Sequence, residues 1–426
     1  ASGPKGTAIT GTGPEMGAHP NLTQHLVSSL NIVCGRFYRA GDRLPNPGML
    51  SPPSPKVAQV ADVAVAWGRG ARCRVRPDLG ELVTPGRLGP SREMPTAQLA
   101  DEILTPGEGQ VKALFVIAGN PIMAWPDQEK ALAAMKDLEL LVCIDPYISA
   151  TAELADYVLA PKLTLEREDV TLLSDAWYEK PYSQYSRAVI ESEHDVIEEW
   201  ELYWAIADRM NLEINIGRSV IPNQPKPEKF DLLKAITNGS RVDLDWLRDN
   251  PGGHIFEDVV SEVQPGPEGS VSKLKLYPEG VEEEFAELRA EPGLNADFPH
   301  LLIGFRSKYV LNSFGHNLPV LKKKSGTTNP AHLHPADLAA LGIDDDDEVQ
   351  IASAHGQISA IVKADAKIKP GVIAMHHCWG LSPDKQGSVR ENGANTNLLV
   401  SSETDTQRYT GMTRSSSIPV RIKKSA

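Results

Sequence analysis

The chain has 426 residues, more than a single hydrophobic core usually organises, so two or three domains are expected. Its apolar fraction of 41% and charged fraction of 23% are ordinary for a soluble globular protein, and no apolar run approaches a membrane span, which argues against membrane insertion. The net charge of −13 argues against general attraction to nucleic acid, while leaving room for a local pocket that holds an anion. Cys34, Cys73, Cys143 and Cys378 lie far apart with no Cys-x-x-Cys, so neither an iron–sulfur site, a zinc site nor a disulfide scaffold is signalled.

The opening Ala1 to Gly6 lacks an initiator Met and any charged-then-apolar targeting pattern, so the amino terminus is expected elsewhere. Leu22, Leu26, Leu30 and Val33 fall on one face at helical spacing, with Asn21 as the expected cap and Gly35 as the stop. From about Asp42 to Gly89 the Pro, Gly and Arg content predicts irregular surface-wrapping chain. Ala113 to Ile117 then reads as a buried parallel strand ending at Gly119-Asn120-Pro121. A helix capped by Asp127 and lined by Ala131, Leu132, Met135 and Leu138 leads to a second buried strand, Leu140 to Ile144, ending at Asp145. Tyr157 to Leu159 predicts a third strand, and Trp200, Trp204, Ala207 and Met210 an amphipathic helix that closes the domain.

Residues 217 to 296 mix Pro, Gly and acidic residues with short helical patterns such as Val281 to Leu288, and read as a connecting region without a legible fold. Beyond it, short strands are expected at Leu301 to Ile303, Glu348 to Ile351, Ile358 to Val362, Gly371 to Met375 and Ile418 to Ile422, a β-rich domain and candidate barrel.

Chemistry is expected where parallel strands end. Gly119 permits close backbone approach, and Asp145 stands near the spacing at which dinucleotide folds place a ribose-binding carboxylate; the same residues also occur as ordinary turn residues, and no G-x-G-x-x-G loop is present. Arg306, followed by Asn312, Ser313, His316 and Asn317, offers a guanidinium among neutral donors, suited to phosphate or a planar heterocycle, or else a solvated basic loop continuing into Lys322 to Lys324. His376 and His377 on an extended strand are expected to face opposite ways, which disfavours a paired metal site. Asp344 to Asp347 lacks the ligand alternation, Gly and Glu of a calcium loop and reads as a solvated turn.

Taken in order, several stretches resemble the molybdopterin oxidoreductase family, the group related to dimethyl sulfoxide reductase, periplasmic nitrate reductase and formate dehydrogenases. They are Cys34 to Gly41, Leu99 to Ile103, Gly119-Asn120-Pro121, Ile144 to Tyr147, Ala155 to Pro161, Glu166-Arg167 and Glu199-Trp200. The series continues with Gly304-Phe305-Arg306, His316-Asn317, His334 to Leu338, Pro370 to Ile373, Trp379-Gly380 and Asn397. The resemblance implies α/β plus β architecture: residues 1–100 end a central α/β domain, 101–216 form a Rossmann-like cofactor domain, and 297–426 form a double-psi β-barrel that binds the molybdopterin dinucleotide.

It further implies bis-molybdopterin guanine dinucleotide with Mo or W. The cofactor contacts that carry over are Thr12, Gly13 and Met16; Asn120, Ile144, Asp145, Arg167 and Glu199; Arg306, Asn312, Ser313, His316 and Asn317; and His377 and Asn397. The family's cysteine cluster for a [4Fe–4S] centre and its metal-binding side chain precede the region matched here, so no catalytic or metal ligand is assigned, and this chain alone is expected to be inactive. The family's glycines stand where this chain has Asp346 and Asp42, both expected to tolerate a left-handed backbone.

The full protein is expected to act on a small molecule by two-electron redox or oxygen-atom transfer, with an electron-transfer subunit or redox carrier, and a cytoplasmic location is favoured over a periplasmic one. The competing reading is a non-catalytic homologue, as the large iron–sulfur subunit of respiratory complex I resembles this family. A nucleotide-binding pair with no redox role is a third.

Overall fold

The computed structural model describes residues 6–60, 73–77, 94–216 and 219–425. The first five residues and parts of the irregular stretch between Asp42 and Gly89 lie outside them. Helix α1, Pro20–Val33, starts on His19 with Pro20 in its first turn, so Asn21 lies inside the helix and does not cap it. Gly35 has φ 63°, as a stop requires. Of its apolar face only Leu22 is buried, whereas Leu26, Leu30 and Val33 are exposed.

The α/β unit begins with α2, Leu99–Leu104. Strand β1, Ala113–Ile117, is followed by a short α3, Pro121–Ala124, then α4, Gln128–Asp137, and β2, Leu140–Ile144. The side chain of Asp127 accepts from the Lys130 backbone N–H at 3.2 Å, as its place before the apolar period predicts. β3, Tyr157–Leu159, completes a parallel three-stranded sheet in the order β1-β2-β3. Ile103, Ile122, Ala131, Met135 and Leu141 pack its core at 2% exposure or less. Helix α5, Glu199–Met210, buries no residue fully, and Met210 is exposed, so it covers the unit's flank more loosely than its period implies.

The region read as a connector is structured. Helices α6, Lys229–Ile236, and α7, Leu244–Asp249, contribute Leu233, Leu244 and Leu247 to a small core shared with Met49 and Leu50, and α8 spans Val281–Ala290. Those partners are nearly two hundred residues away in the chain, which is why local pattern does not disclose the core.

Six strands close a barrel: β4 His300–Phe305, β5 Ala331–Leu333, β6 Glu348–Ala352, β7 Gln357–Ala364, β8 Val372–His376 and β9 Ile418–Lys424, in the order β4-β8-β5-β7-β6-β9. Strand β5 is the one unpredicted member. Helix α9, Pro335–Leu341, follows it, with Pro335 in its first turn. Leu302, Leu333, Ile351, Ile373 and Val420, each 1% exposed or less, fill the interior. Because β4 and β8 run parallel with Phe305 opposite His376, the chain leaves both strands at the same end of the barrel. That end faces the carboxyl ends of β1 and β2.

Candidate functional site

Two clefts meet between the units. The larger, with a volume of about 930 Å³, lies between the turn after β1 and the barrel's first loop; the smaller, about 410 Å³, lies over the end of β2. They share Ala118, Gly119, Asn120, Ser313, Phe314 and Cys378, so they form one elongated groove.

The turn after β1 is shaped to bare its backbone. Ala118 adopts φ 50° while its N–H donates to the Ile144 carbonyl at 2.9 Å, which ties the ends of the two strands together. Asn120 Oδ1 accepts from the Thr151 hydroxyl at 2.9 Å, and that hydroxyl accepts from the Ile122 N–H at 3.1 Å. Asp145 lines the smaller cleft, with Oδ1 accepting from the Tyr147 N–H at 2.9 Å. The rings of Tyr147 and Phe314, 6.3 Å apart, reach across from the two units.

Across the groove, Arg306 Nη1 donates to Asn312 Oδ1 at 2.5 Å, and His377 Nε2 meets the same oxygen at 2.9 Å. The His316 ring packs on Trp379 with centroids 4.2 Å apart. His376 and His377 do not diverge as expected: the strand ends at His376, and the rings stack at 5.3 Å and 7°. Trp379 Nε1 donates to His376 Nδ1 at 3.0 Å. Burial lowers the pKa of His316 and His376 and pushes His377 down to about 4, with His376 and Arg306 adding to the last. Among the described residues no cluster of His, Cys, Asp and Glu is arranged to hold a metal.

The sequence-predicted residues divide cleanly. Thr12, Gly13, Met16, Asn120, Arg306, Asn312, Ser313, His377 and Asn397 line the larger cleft, and Asp145, His316 and Asn317 line the smaller with Asn120 and Ser313. Ile144, Arg167 and Glu199 line neither. Ile144 is fully buried in β2 and acts through its backbone, while Arg167 and Glu199 pair with each other at 3.1 Å. Asn397 also serves the fold, since its Nδ2 donates to the Met123 carbonyl at 2.9 Å. Sequence reasoning missed Tyr147, Phe314, Cys378 and Lys385; Cys378, at φ 62° and buried where the clefts join, sits beside a histidine pair that offered the one local signal.

A parallel sheet and a closed barrel facing one another across a long groove define a two-part scaffold able to enclose an elongated ligand. The chain belongs to the molybdopterin oxidoreductase family: the model described as molybdopterin oxidoreductase matches residues 23–209, and the molydopterin dinucleotide binding domain matches residues 301–416. It is similar to acetylene hydratase of Syntrophotalea acetylenica, 26% identical over 65% of this chain and 38% of that protein. It is also similar to trimethylamine-N-oxide reductase of Haemophilus influenzae, 22% identical over 66% and 39%. The F420-dependent formate dehydrogenase 1 subunit alpha of Methanococcus maripaludis is 24% identical over 65% and 40%. The chain thus spans about two-fifths of the length of these relatives. Acetylene hydratase from Pelobacter acetylenicus shares the fold, with a TM-score of 0.59 at 20% identity, over 79% of this chain and 47% of that one.

The groove suits the family's cofactor. A Cβ added at Gly13 or Gly304 would meet nothing within 4 Å, so both bare their backbone to the larger cleft. Arg306 supplies a cation with donors in a planar fork, and Asp145 a carboxylate at the opposite end, the donor and acceptor chemistry that phosphates, heterocycle edges and ribose hydroxyls require.

Proposed function

We propose that this chain is the cofactor-binding portion of a bis-molybdopterin guanine dinucleotide oxidoreductase, with its α/β unit Rossmann-like and its barrel of the double-psi type. The observation that carries this reading is the continuous groove from Arg306 and His377, past Asn120, to Asp145. Arg306 and His377 would hold the heterocyclic part, Asn120 the middle of the ligand, and Asp145 the nucleoside end through its free carboxylate oxygen. When bound, the cofactor's Mo or W supplies two-electron or oxygen-atom chemistry on a small substrate. This chain's residues orient it, with Phe314 and the buried Cys378 lining the join between the clefts.

The relatives' names span reduction, formate dehydrogenation and hydration, so the scaffold itself does not fix the substrate. An electron-transfer subunit or carrier and a cytoplasmic site of action belong to the same proposal. The test is elemental and pterin analysis of the full-length protein purified anaerobically, expected to yield Mo or W with a pair of pterin dinucleotides. A metal-free, pterin-free product from cofactor-supplied cells would favour the non-catalytic homologue instead.

A further inference from the structure

We infer that a cavity beside the carboxyl end of helix α1 is a docking site for an acidic segment of a partner protein, one that inserts an apolar side chain between flanking carboxylates. The inference stands apart from the cofactor reading, since this cavity shares no residue with either cleft of the groove.

The site is assembled from stretches far apart in the chain. Helix α1 closes with the Gly35 N–H donating to the Ile32 carbonyl at 3.0 Å and the Arg36 N–H to the Asn31 carbonyl at 2.9 Å, a left-handed stop that releases Arg36, Phe37 and Tyr38 from the helix. Val263 and Gln264 stitch the next stretches together, because the Gly41 N–H donates to the Val263 carbonyl at 2.9 Å and the Ala58 N–H to the Gln264 carbonyl at 2.8 Å. Gln59 Nε2 donates to the Ser272 carbonyl at 2.5 Å, which brings in Lys273 and Leu274.

The cavity so formed has a volume of about 460 Å³. Phe37, Tyr38, Val57 and Leu274 give it an apolar lining, yet all four are exposed, Phe37 and Tyr38 at 43% and 48%. Arg36, Lys56 and Lys273 stand among them, and no carboxylate lines the cavity. None of these three cations has a carboxylate partner among the described residues; Lys56 instead lies over the Tyr38 ring, with Nζ 5.3 Å from the centroid. Aromatic rings and arginine are enriched at protein interfaces over the rest of the surface, and an exposed apolar patch needs a partner to cover it.

Charge selects the occupant. The chain carries −13, so a long polyanion is repelled away from this spot, and a second copy would bring its own −13. A short acidic segment feels mainly the local cations, since the Debye length is about 8 Å at physiological salt. The apolar lining calls for an apolar side chain, which a phosphate backbone lacks.

The experiment uses the full-length protein and fluorescence anisotropy with a labelled synthetic peptide in which Trp stands between runs of Glu. Combining Lys56→Glu with Lys273→Glu should weaken binding on the order of tenfold, as a few exposed ion pairs provide, and added salt should weaken binding to the wild type. Tyr38→Ala, or Ala in place of the peptide's Trp, should also weaken it. Equal affinity for a peptide with Gln in place of Glu, unchanged affinity in the charge-reversed protein, or equally tight binding of a DNA duplex would each overturn the inference. Hydroxyl-radical footprinting distinguishes the other occupants: Phe37 and Tyr38 should be oxidised in the free protein and protected once the peptide is added. Protection in the free protein at every concentration would mean that another part of the polypeptide covers the cavity, and protection that grows with concentration that a second copy does; either result overturns the inference.

Discussion

Arg306 bonds to an amide and lines a cleft, a different situation from a guanidinium paired with a surface carboxylate. A surface ion pair contributes about 0–1 kcal/mol, so its loss would leave ligand content untouched. Lysine matches the charge but lacks the planar fork that serves Asn312 and a ligand together. Arg306→Lys in the full-length protein should therefore leave the circular dichroism spectrum unchanged yet lower pterin content, and unchanged pterin content would refute the clamp. Asp145 divides its oxygens, with Oδ1 holding the Tyr147 N–H. Asp145→Asn retains an oxygen for that turn, whereas Asp145→Ala loses both roles, at roughly 1.5–3 kcal/mol for each charged hydrogen bond removed. Cofactor retention should then fall in the order wild type, Asn, Ala. Cys378 presents the opposite case, because burial pushes its thiol up to about 12. Iodoacetamide at mildly alkaline pH should modify the exposed Cys34 and spare Cys378, read by peptide mass spectrometry. Early alkylation of Cys378 would show that the join between the clefts opens to solvent.

At the level of elements, much of this architecture was legible from apolar pattern between turn residues. Ala113 to Ile117 and Leu140 to Ile144 are continuous apolar runs, while barrel strands such as Glu348–Ala352 and Ile418–Lys424 alternate apolar with polar residues. The missed strand Ala331–Leu333 is three residues long between Pro330 and His334-Pro335, too short for any periodicity, and exists because β7 and β8 flank it. Helix α1 forms where its apolar period predicts, yet of that face only Leu22 is covered. The clefts were legible only in part. Strand ends and the family resemblance located Asn120, Asp145 and Arg306, but Phe314 and Tyr147 enter through tertiary placement, and Arg167 and Glu199 spend their charges on each other. The two expected left-handed aspartates also divide. Asp346 adopts φ 72°, whereas at Asp42 the turn's positive φ of 86° belongs to Gly41, and Asp42 instead accepts from the Arg39 N–H at 2.6 Å. Asp346→Val should cost about 1–2 kcal/mol from the β-branched side chain in that conformation, and Asp346→Gly should escape this penalty in urea unfolding. Equal effects of the two would point to the Arg390 ion pair as the source of any loss.

Across the whole molecule, the question is what holds the α/β unit against the barrel so that the groove keeps its shape. Buried amides contribute one set of ties: Asn397 Nδ2 to the Met123 carbonyl at 2.9 Å, the Asp127 N–H to the Asn397 carbonyl at 3.1 Å, and Gln128 Nε2 to the Leu381 carbonyl at 3.0 Å. Ion pairs form the other, Lys130 with Glu403 at 3.0 Å and Lys385 with Glu153, the latter pair roughly half exposed. Salt screens the exposed pair and hardly touches the buried amides. Asn397→Ala should thus destabilise by about 1–3 kcal/mol at low and high salt alike, with the Met123 carbonyl left unpaired. A second constraint is protonic. His300, His316, His376 and His377 all have lowered pKa values because of burial, and His377 falls from 6.5 to about 4. Between those limits the unfolded chain binds more protons than the folded one, so stability must rise with pH across that window and be lost as pH falls through it. Carboxylates held low by backbone N–H groups and lysines, such as Asp345, which accepts from the Ala364 N–H and pairs with Lys363, act in the same direction but only nearer 3.8 and below, which separates the two effects. The melting temperature should therefore fall from neutral pH towards about 4, and His377→Gln should flatten that slope by removing the most strongly shifted group. A profile equally steep in the variant would mean that His377 is already solvated in the folded protein.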